Sequence, residues 1–288
     1  MPTPRPRPPN KSLGRGRRVM LVASVTILTV LLASLLLPPR ETRRSVRQVQ
    51  CQEEKQGRWS VKEGSNAAFE FVGFGDRVFV TNAPELNFVA SQDFSIEAWI
   101  KAYPVASKNA RKVAAWLTAH PGAARILPRR FSAWIAARTA DNDFGVMPIV
   151  DKHHPTSTIE AVGFQLYLDH GRLACQLSAA PSRPLGFQNF VSPSPNLHDG
   201  RWHHVVATVE RNSAQGGRLY VDGQPVLTFD PTRQAGDLSN EEPLRIGNHA
   251  NPSLKCYFKG TITGVTIIRR SLATNEIAAN HRAGRPSR

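Results

Sequence analysis

Apolar and polar side chains alternate along the second half of the chain. In residues 202–209 most side chains are aromatic or β-branched, which favours a strand over a helix. Alternation places His203, Val205, Ala207 and Val209 on one face, which is therefore apolar enough to pack. The pattern predicts a half-buried strand.

Two further apolar runs follow at residues 219–221 and 224–229, with Asp222-Gly223 between them. A two-residue type I′ turn needs positive φ at both central positions, and Asp-Gly between apolar runs is a strong hairpin signal for that reason. Together with residues 202–209, these runs predict three antiparallel strands in a meander.

The same period of two occurs in other parts of the chain. Trp99 falls on the opposite face from Ile96 and Ile100, which predicts a core strand that is apolar on both sides rather than a ligand platform. Further strands are expected at residues 69–71, 78–80, 94–100, 147–152, 163–168, 172–177, 244–246 and 261–268.

Several of these strands carry a resemblance to a known family. The sequences that carry it are Gly-Asp-Arg-Val (75–78) with Asp-Phe-Ser-Ile-Glu-Ala-Trp-Ile (93–100), Asp-Gly-Arg-Trp-His-His-Val (199–205) with Leu-Tyr-Val-Asp-Gly (219–223), Leu-Arg-Ile-Gly-Asn (244–248) and Phe-Lys-Gly-Thr-Ile-Thr-Gly-Val (258–265). In this order they resemble the laminin G-like, concanavalin A-like jelly rolls. The resemblance covers residues 66–284 and implies an all-β sandwich of two antiparallel sheets, with a short closing helix at residues 271–277.

Residues 103–148 depart from the family, which usually connects these strands by a short loop. Apolar residues recur at helical spacing in residues 110–117 and 131–135, so a helical insertion of two helices is predicted. Three interpretations remain open: a cap on the sandwich, a basic membrane-surface or acidic-partner site that carries Trp116 and Trp134, or a mobile loop.

The N-terminal region predicts a membrane anchor. Residues 19–37 contain no charge, and nineteen helical residues span about 28 Å, close to the hydrocarbon thickness of a bilayer. Residues 1–18 form a basic tail rich in Pro and Arg, and residues 38–65 are interpreted as a polar stalk. A cleaved signal peptide is the competing hypothesis, but no small-x-small cleavage site follows the apolar run.

Basic residues flank the apolar segment on both sides, so the positive-inside comparison barely discriminates between orientations. The short N-terminal tail and the large following domain favour an N-terminus inside. The predicted protein is therefore a single-pass protein of the cell membrane, with its C-terminal domain outside the cytoplasm and residues 285–288 as a short tail.

The net charge of +15 is concentrated in two places. Residues 1–50 hold ten Lys or Arg against Glu41 alone, and residues 103–148 hold seven against Asp141 and Asp143. The rest of the chain is nearly neutral, so no basic stripe lies on the predicted sandwich and a nucleic-acid partner is not expected.

Catalysis is not expected either. Glycosidases with this fold need two carboxylates about 5 to 9 Å apart around the scissile bond. Glu97 stands alone in an apolar strand, Glu241 and Glu242 are neighbours in a loop, and no Gly-x-Ser-x-Gly motif occurs. A glycoside-active enzyme is kept only as a weak alternative.

Neighbouring residues of a strand point to opposite faces, so neither histidine pair, His153-His154 or His203-His204, predicts a zinc site. The resemblance implies calcium as a possible cofactor, because family members often hold one at the sandwich rim. Candidate calcium ligands at strand ends are Asp151, Asp199 and Asn248, with residues 141–143 as an alternative cluster.

The function predicted from these observations is a non-catalytic binding module that recognises carbohydrate or an extracellular protein through its rim loops. Phe187 and Phe190 in a loop rich in Pro and Ser, together with Trp116 and Trp134, are the candidate ligand-binding residues. In the alternative, the basic insertion and tail dock acidic partners or lipid headgroups while the jelly roll serves as a scaffold.

Three cysteines are an odd number for a protein outside the cytosol. Cys175 and Cys256 lie in or beside predicted strands, so a disulfide between them is possible, and two buried thiols are the alternative. Cys51 is interpreted as a spare surface thiol.

Overall fold

The computed structural model describes residues 46–49, 51–55, 58–61, 68–73, 75–103, 145–154, 162–180, 186–284 and 286. All of them belong to one unit, Arg44–Arg288. The strands are β1 (Val46–Val49), β2 (Cys51–Lys55), β3 (Arg58–Val61), β4 (Phe69–Val72), β5 (Arg77–Val80), β6 (Phe94–Ala102), β7 (Val146–His153), β8 (Gly163–Asp169), β9 (Arg172–Ser178), β10 (Gln188–Val191), β11 (Trp202–Val209), β12 (Gly217–Val221), β13 (Gln224–Phe229), β14 (Leu244–Ile246) and β15 (Lys259–Ile268). One α-helix, α1 (Thr274–Ala283), and three 3-10 helices, at Pro84–Leu86, Thr232–Gln234 and Pro252–Leu254, complete the described elements.

The strands form two sheets. The seven-stranded sheet has the order β1-β5-β14-β7-β8-β9-β10, and the eight-stranded sheet has the order β13-β12-β11-β6-β15-β3-β2, with β4 also pairing to β15. Every described pair is antiparallel except β1 with β5, which is parallel. The predicted all-β sandwich of two antiparallel sheets is therefore confirmed.

The core lies between the two sheets and is built by alternation. In β6 the side chains of Phe94, Ile96, Ala98 and Ile100 point inward and are fully buried. Burial of each large apolar side chain stabilises the fold by about 2–3 kcal/mol relative to exposure. The opposite face of β6, which carries Glu97 and Trp99, is thereby turned away from the sandwich core.

The predicted meander is present as β11, β12 and β13. Val205 of β11 is in register with Val221 of β12, and the strands are antiparallel. Asp222 and Gly223 between β12 and β13 have φ of 51° and 79°, the positive values that the Asp-Gly turn was predicted to need.

Helix α1 covers the outer face of the eight-stranded sheet. Ile277 of the helix is fully buried in a cluster with Val206, Tyr220, Ile268 and Leu272. The closing helix predicted at residues 271–277 is confirmed and continues to Ala283. Trp99 is buried at 5% exposure, stacked on His281 of this helix, which agrees with its predicted burial in a core strand.

Three short strands lie within the segment interpreted from its sequence as a stalk. β1 pairs with β5 of one sheet, β3 pairs with β15 of the other, and β2 pairs with β3. β1 and β2 lie at sheet edges and are held by backbone hydrogen bonds, whereas β3 lies between β15 and β2 and contributes Val61 to the core. The sandwich thus begins at Val46 rather than at residue 66.

Other parts of the sequence prediction lie outside the described residues. These are the basic tail, the apolar segment 19–37, the first part of the stalk, and all but the ends of the insertion. Within the described residues, no helix has the length and apolar character needed to cross a bilayer.

Candidate ligand-binding site

The outer face of the seven-stranded sheet carries one half of the candidate site. Val78 and Val80 of β5 point into the core, so the alternation turns Arg77 and Phe79 outward. Phe79 is in register with Arg245 of the neighbouring strand β14. Two cationic side chains and one aromatic ring therefore lie together on this face.

The loop after β14 forms the other half of the site by folding back on itself. The N–H of Phe258 donates to the carbonyl of Gly247 at 2.7 Å, and the N–H of His249 donates to the carbonyl of Cys256 at 3.0 Å. Gly247 has a φ of +80°, and a Cβ there would lie 2.1 Å from the ring of Phe71. Only glycine therefore fits at the point where the loop leaves the sheet.

Between sheet and loop lies a pocket of about 290 Å³. Its walls are Arg77 and Phe79 of β5, Arg245 of β14 and the loop from Asn248 to Tyr257. Pockets that hold drug-sized ligands measure about 300–1,000 Å³, so the volume of this one lies just below that range.

The carboxylate of Asp151 on β7 holds the loop after β14 in place by hydrogen bonding. It is fully buried, and its two oxygens accept the N–H of Ala250 at 2.8 Å, the amide of Gln165 at 3.1 Å, and both the backbone N–H and Nδ1 of His153 at 3.0 Å. Burial raises the pKa of Asp151, but the interactions with His153, His249 and the N–H of Ala250 together outweigh burial, so the pKa lies below its usual value. Asp151 is therefore a structural anion rather than a general acid.

The cationic side chains of the pocket differ in whether a carboxylate forms an ion pair with them. Arg245 donates to Glu242 at 2.6 Å and to the backbone carbonyls of His153 and Pro243. Among the described residues, no carboxylate forms an ion pair with Arg77 or Lys255, and the lining itself contains no acidic side chain. Arg77 and Lys255 are therefore the two cations of the lining that have no carboxylate partner in this part of the chain.

His249 contributes no charge at neutral pH. Burial lowers the pKa of its imidazole, and nearby His153 and Arg245 lower it further against the opposing effect of Asp151. The N–H of Asn251 donates to Nδ1 of His249 at 2.9 Å, so the proton of the neutral ring lies on Nε2.

Two polar atoms of the lining are buried without a hydrogen-bond partner in the described part of the chain. They are Nε of Arg77, a donor, and Oδ1 of Asn248, an acceptor. Asn248 is only 5% exposed, and its Nδ2 donates to the carbonyl of His249 at 3.1 Å. An unpaired buried polar group costs about 1–3 kcal/mol, so both atoms favour a ligand that pairs with them.

The three predicted calcium ligands do not form one cluster. Asp151 and Asn248 lie at the pocket, whereas Asp199 lies before β11 and accepts the N–H of Arg201 and the imidazole of His203. The described residues contain no group of three or more His, Cys, Asp or Glu side chains placed to hold a metal ion. Calcium binding by these residues stays a prediction.

The predicted aromatic ligand residues differ in position. Phe190 is buried and its ring stacks on Phe229 at a centroid distance of 4.0 Å, so it is a core residue unable to contact a ligand. Phe187 is 38% exposed and remains a candidate. Trp116 and Trp134 lie outside the described residues.

Cys175 and Cys256 are both buried as thiols and no disulfide joins them, which is the alternative to the predicted bridge. β14, beside which Cys256 lies, is separated from β9 by β7 and β8. Three strand spacings amount to about 14 Å, beyond the Cα separation of about 4.4–6.8 Å that a disulfide allows. Burial raises the pKa of each thiol to about 12, so both stay protonated.

Both members of the second histidine pair have structural partners, as expected for at least one of them. Nε2 of His204 donates to Glu97 at 2.9 Å within the eight-stranded sheet. His203 lies between Asp222, at 2.8 Å from Nδ1, and Asp199, at 3.1 Å from Nε2. The hydrogen bond to Asp222 is the main cause that raises the pKa of His203, against the opposing effect of burial.

Sequence reasoning missed most of the pocket. Arg77 lies in the Gly-Asp-Arg-Val motif and Phe79 directly follows it, and their alternation with Val78 and Val80 was a usable sign that they face outward. Lys255 and Tyr257 had no comparable sign, because their position depends on how the loop folds back.

Comparison with known proteins agrees with the architecture. The binding domain of Paraclostridial Mosquitocidal Protein 1 superposes with a TM-score of 0.50 at 15% identity, over 81% of this chain and 51% of that one. The ligand-binding domain of botulinum neurotoxin serotype D, in complex with N-acetylneuraminic acid, gives a TM-score of 0.46 at 12% identity, over 82% of this chain and 50% of that one. The chain spans about half of the length of these structures, and the likeness shows the fold alone.

No curated protein sequence matches the chain. A sequence model of the laminin G type, described as the concanavalin A-like lectin/glucanases superfamily, matches residues 131–278, which is half of the chain. These residues include strands β7 to β15 and the loop of the pocket. The chain therefore belongs to the concanavalin A-like lectin/glucanase superfamily.

Proposed function

We propose that this protein is a non-catalytic, membrane-anchored binding module that recognises carbohydrate outside the cytoplasm. The observation that carries the proposal is the pocket between Phe79 and Tyr257, which has unpaired hydrogen-bonding atoms at Arg77 and Asn248. Aromatic walls accept the apolar face of a sugar ring, while a few fixed polar groups orient its hydroxyls.

The arrangement of carboxylates supports binding rather than glycoside hydrolysis. Hydrolysis needs one carboxyl group with a raised pKa as acid and a second carboxylate across the bond. Asp151 has a lowered pKa and four hydrogen-bond donors, and Glu97 is enclosed by His204, Arg58 and Asn280. Neither is available to act on a substrate.

Family and fold are compatible with this function. The superfamily includes lectins, and the mosquitocidal protein fragment that shares the fold is itself a binding domain. The anchor rests on residues 19–37, which are long and apolar enough to span a bilayer. Protease accessibility of the C-terminal domain on intact cells tests the display: complete protection would contradict it.

A glycan array tests the binding function, with the full chain purified in detergent. We expect specific glycans to be retained and Asn248→Ala to abolish retention. The matched control is Asn189→Ala, an exposed amide on β10 of the same sheet, which should bind as the unchanged protein does. Binding of no glycan, or binding that is lost in Phe187→Ala but kept in Asn248→Ala, would refute the pocket as the site.

A further inference from the structure

We infer that the ligand of the pocket is an acidic sugar, a single sugar ring carrying a carboxylate or sulfate group that binds between Arg77 and Lys255. This inference rests on the proposed function, because it specifies the ligand of the same site. It concerns charge and hydrogen-bond pattern, which the fold does not determine.

The first argument is the uncompensated charge. Arg245 forms an ion pair with Glu242 at 2.6 Å. His249 is neutral because its Nδ1 accepts the N–H of Asn251. Arg77 and Lys255 remain, and no described carboxylate pairs with either. An anionic ligand would give both side chains a partner of opposite charge.

The second argument is the pattern of unpaired atoms. Nε of Arg77 needs an acceptor, and Oδ1 of Asn248 needs a donor. A fully ionised small anion offers acceptors only, so it leaves Asn248 unpaired. A sugar acid offers an anionic group to Arg77 and a hydroxyl to Asn248 in one molecule, so it satisfies both.

The third argument is size and surface. A pocket of about 290 Å³ limits the ligand in the site to about one ring. Phe79 and Tyr257 in its walls provide the apolar surface on which the C–H face of such a ring packs. Lys255 is exposed at the mouth, where it attracts an anion before the ring enters.

Isothermal titration of the full chain in detergent tests the inference. The probes are a methyl glucuronide, its neutral counterpart methyl glucoside, and a glucose 6-sulfate. We expect the acidic sugars to bind at least tenfold more tightly than the glucoside, a difference of about 1.4 kcal/mol, and to lose this advantage at high salt. The two acidic probes distinguish carboxylate from sulfate as the preferred group.

Variants connect the preference to the pocket. Arg77→Gln and Lys255→Gln should each reduce the affinity for the acidic probe about tenfold and reduce the affinity for the glucoside less, so that the ratio of the two affinities falls. Arg218→Gln, on β12 of the other sheet, removes a partly exposed arginine outside the pocket and should change neither affinity. Unchanged circular dichroism and Tm of each variant show that the fold is intact.

The outcomes separate the two proposals. Equal affinity for glucoside and glucuronide, with both lost in Asn248→Ala, refutes the acidic ligand but keeps the sugar site. An acidic preference that survives in Arg77→Gln and Lys255→Gln also refutes the inference. Absence of binding for every sugar, here and on the array, refutes the proposed function itself.

Discussion

The amide of Asn280 in helix α1 donates to Oε2 of Glu97 on β6 at 3.1 Å. The other oxygen of Glu97 accepts Nε2 of His204 from the adjacent strand β11. One buried carboxylate thus joins two strands and the closing helix, and its position in an otherwise apolar strand is explained by this structural role.

Replacement of Glu97 by Ala should therefore destabilise the protein strongly. It leaves the buried imidazole of His204 and the half-buried amide of Asn280 without their acceptor, and we expect a loss of about 3 kcal/mol, or roughly 6–12 °C in Tm. Thermal unfolding measures this loss. Glu70→Ala on β4, where the side chain is exposed, should shift Tm by less than about 2 °C. Equal effects of the two changes would contradict the role of Glu97.

Lys152 of β7 is expected to hold the loop before β14. Its Nζ donates to Oδ1 of Asn87 at 3.0 Å, to the carbonyl of Asn240 at 2.8 Å and to the carbonyl of Glu242 at 3.1 Å. Burial is the main cause that lowers its pKa to about 8, so the amine is still mostly charged at neutral pH. Lys152→Met should cost about 3 kcal/mol in the free energy of unfolding, measured by urea denaturation.

Lys101→Met is the control for this change, because Lys101 lies on β6 and is only half-buried. We expect it to cost less than about 1 kcal/mol. If Lys152→Met were as mild as the control, the hydrogen bonds of Lys152 would not be restraining the loop.

His203 should make stability depend on pH. Its pKa is raised above the ordinary value of 6.5, so its stabilisation is complete below about pH 6.5 and is lost as pH rises through the folded value. Asp199 and Asp222 have pKa values below 3.8, despite the raising effect of burial, so they stay ionised across this range. His203→Gln should lower Tm by roughly 2–4 °C at pH 5.5 and by less at pH 8.5.

Asp222→Asn checks the assignment, because it removes the carboxylate with the largest influence on His203 and Asn tolerates the positive φ at this turn. It should reduce the pH dependence in the same way, and the double variant should add little further loss. A penalty that grows from pH 5.5 to 8.5 would show that the sign is wrong.

Phe187, just before β10, and Phe190, on β10, should respond differently to truncation. Phe190→Ala removes a ring stacked on Phe229 and should cost about 3–4 kcal/mol. Phe187→Ala removes a largely exposed ring and should change stability by less than about 0.5 kcal/mol. Chemical denaturation of both variants measures this difference, and similar losses would contradict the observed burial.

The sandwich could be predicted from sequence because alternation repeats in every long strand. Phe94, Ile96, Ala98 and Ile100 share one face by geometry alone, and Asp222-Gly223 specifies the turn. The edge strands could not be predicted in the same way. β1 is held by backbone pairing with β5, and backbone pairing leaves no mark in the side-chain pattern.

The candidate site was less predictable for a related reason. Alternation turns Arg77 outward but does not show which loop covers it. The position of the covering loop depends on Asp151, whose carboxylate accepts the N–H of Ala250, 99 residues further along the chain. The prediction for Phe190 failed for a different reason. An aromatic residue among Pro and Ser suggested ligand contact, but the ring of Phe190 packs on the ring of Phe229.

The parallel pairing of β1 with β5 has a mechanical consequence. Tension applied to the chain ahead of Val46 acts along the axis of β1, and all residues from Val46 to Val49 share the load across their bonds to β5 in shear. Bonds loaded side by side fail together, whereas an antiparallel hairpin pulled at one end opens bond by bond. The seven-stranded sheet therefore begins with a strand suited to resist stretching from its amino-terminal side.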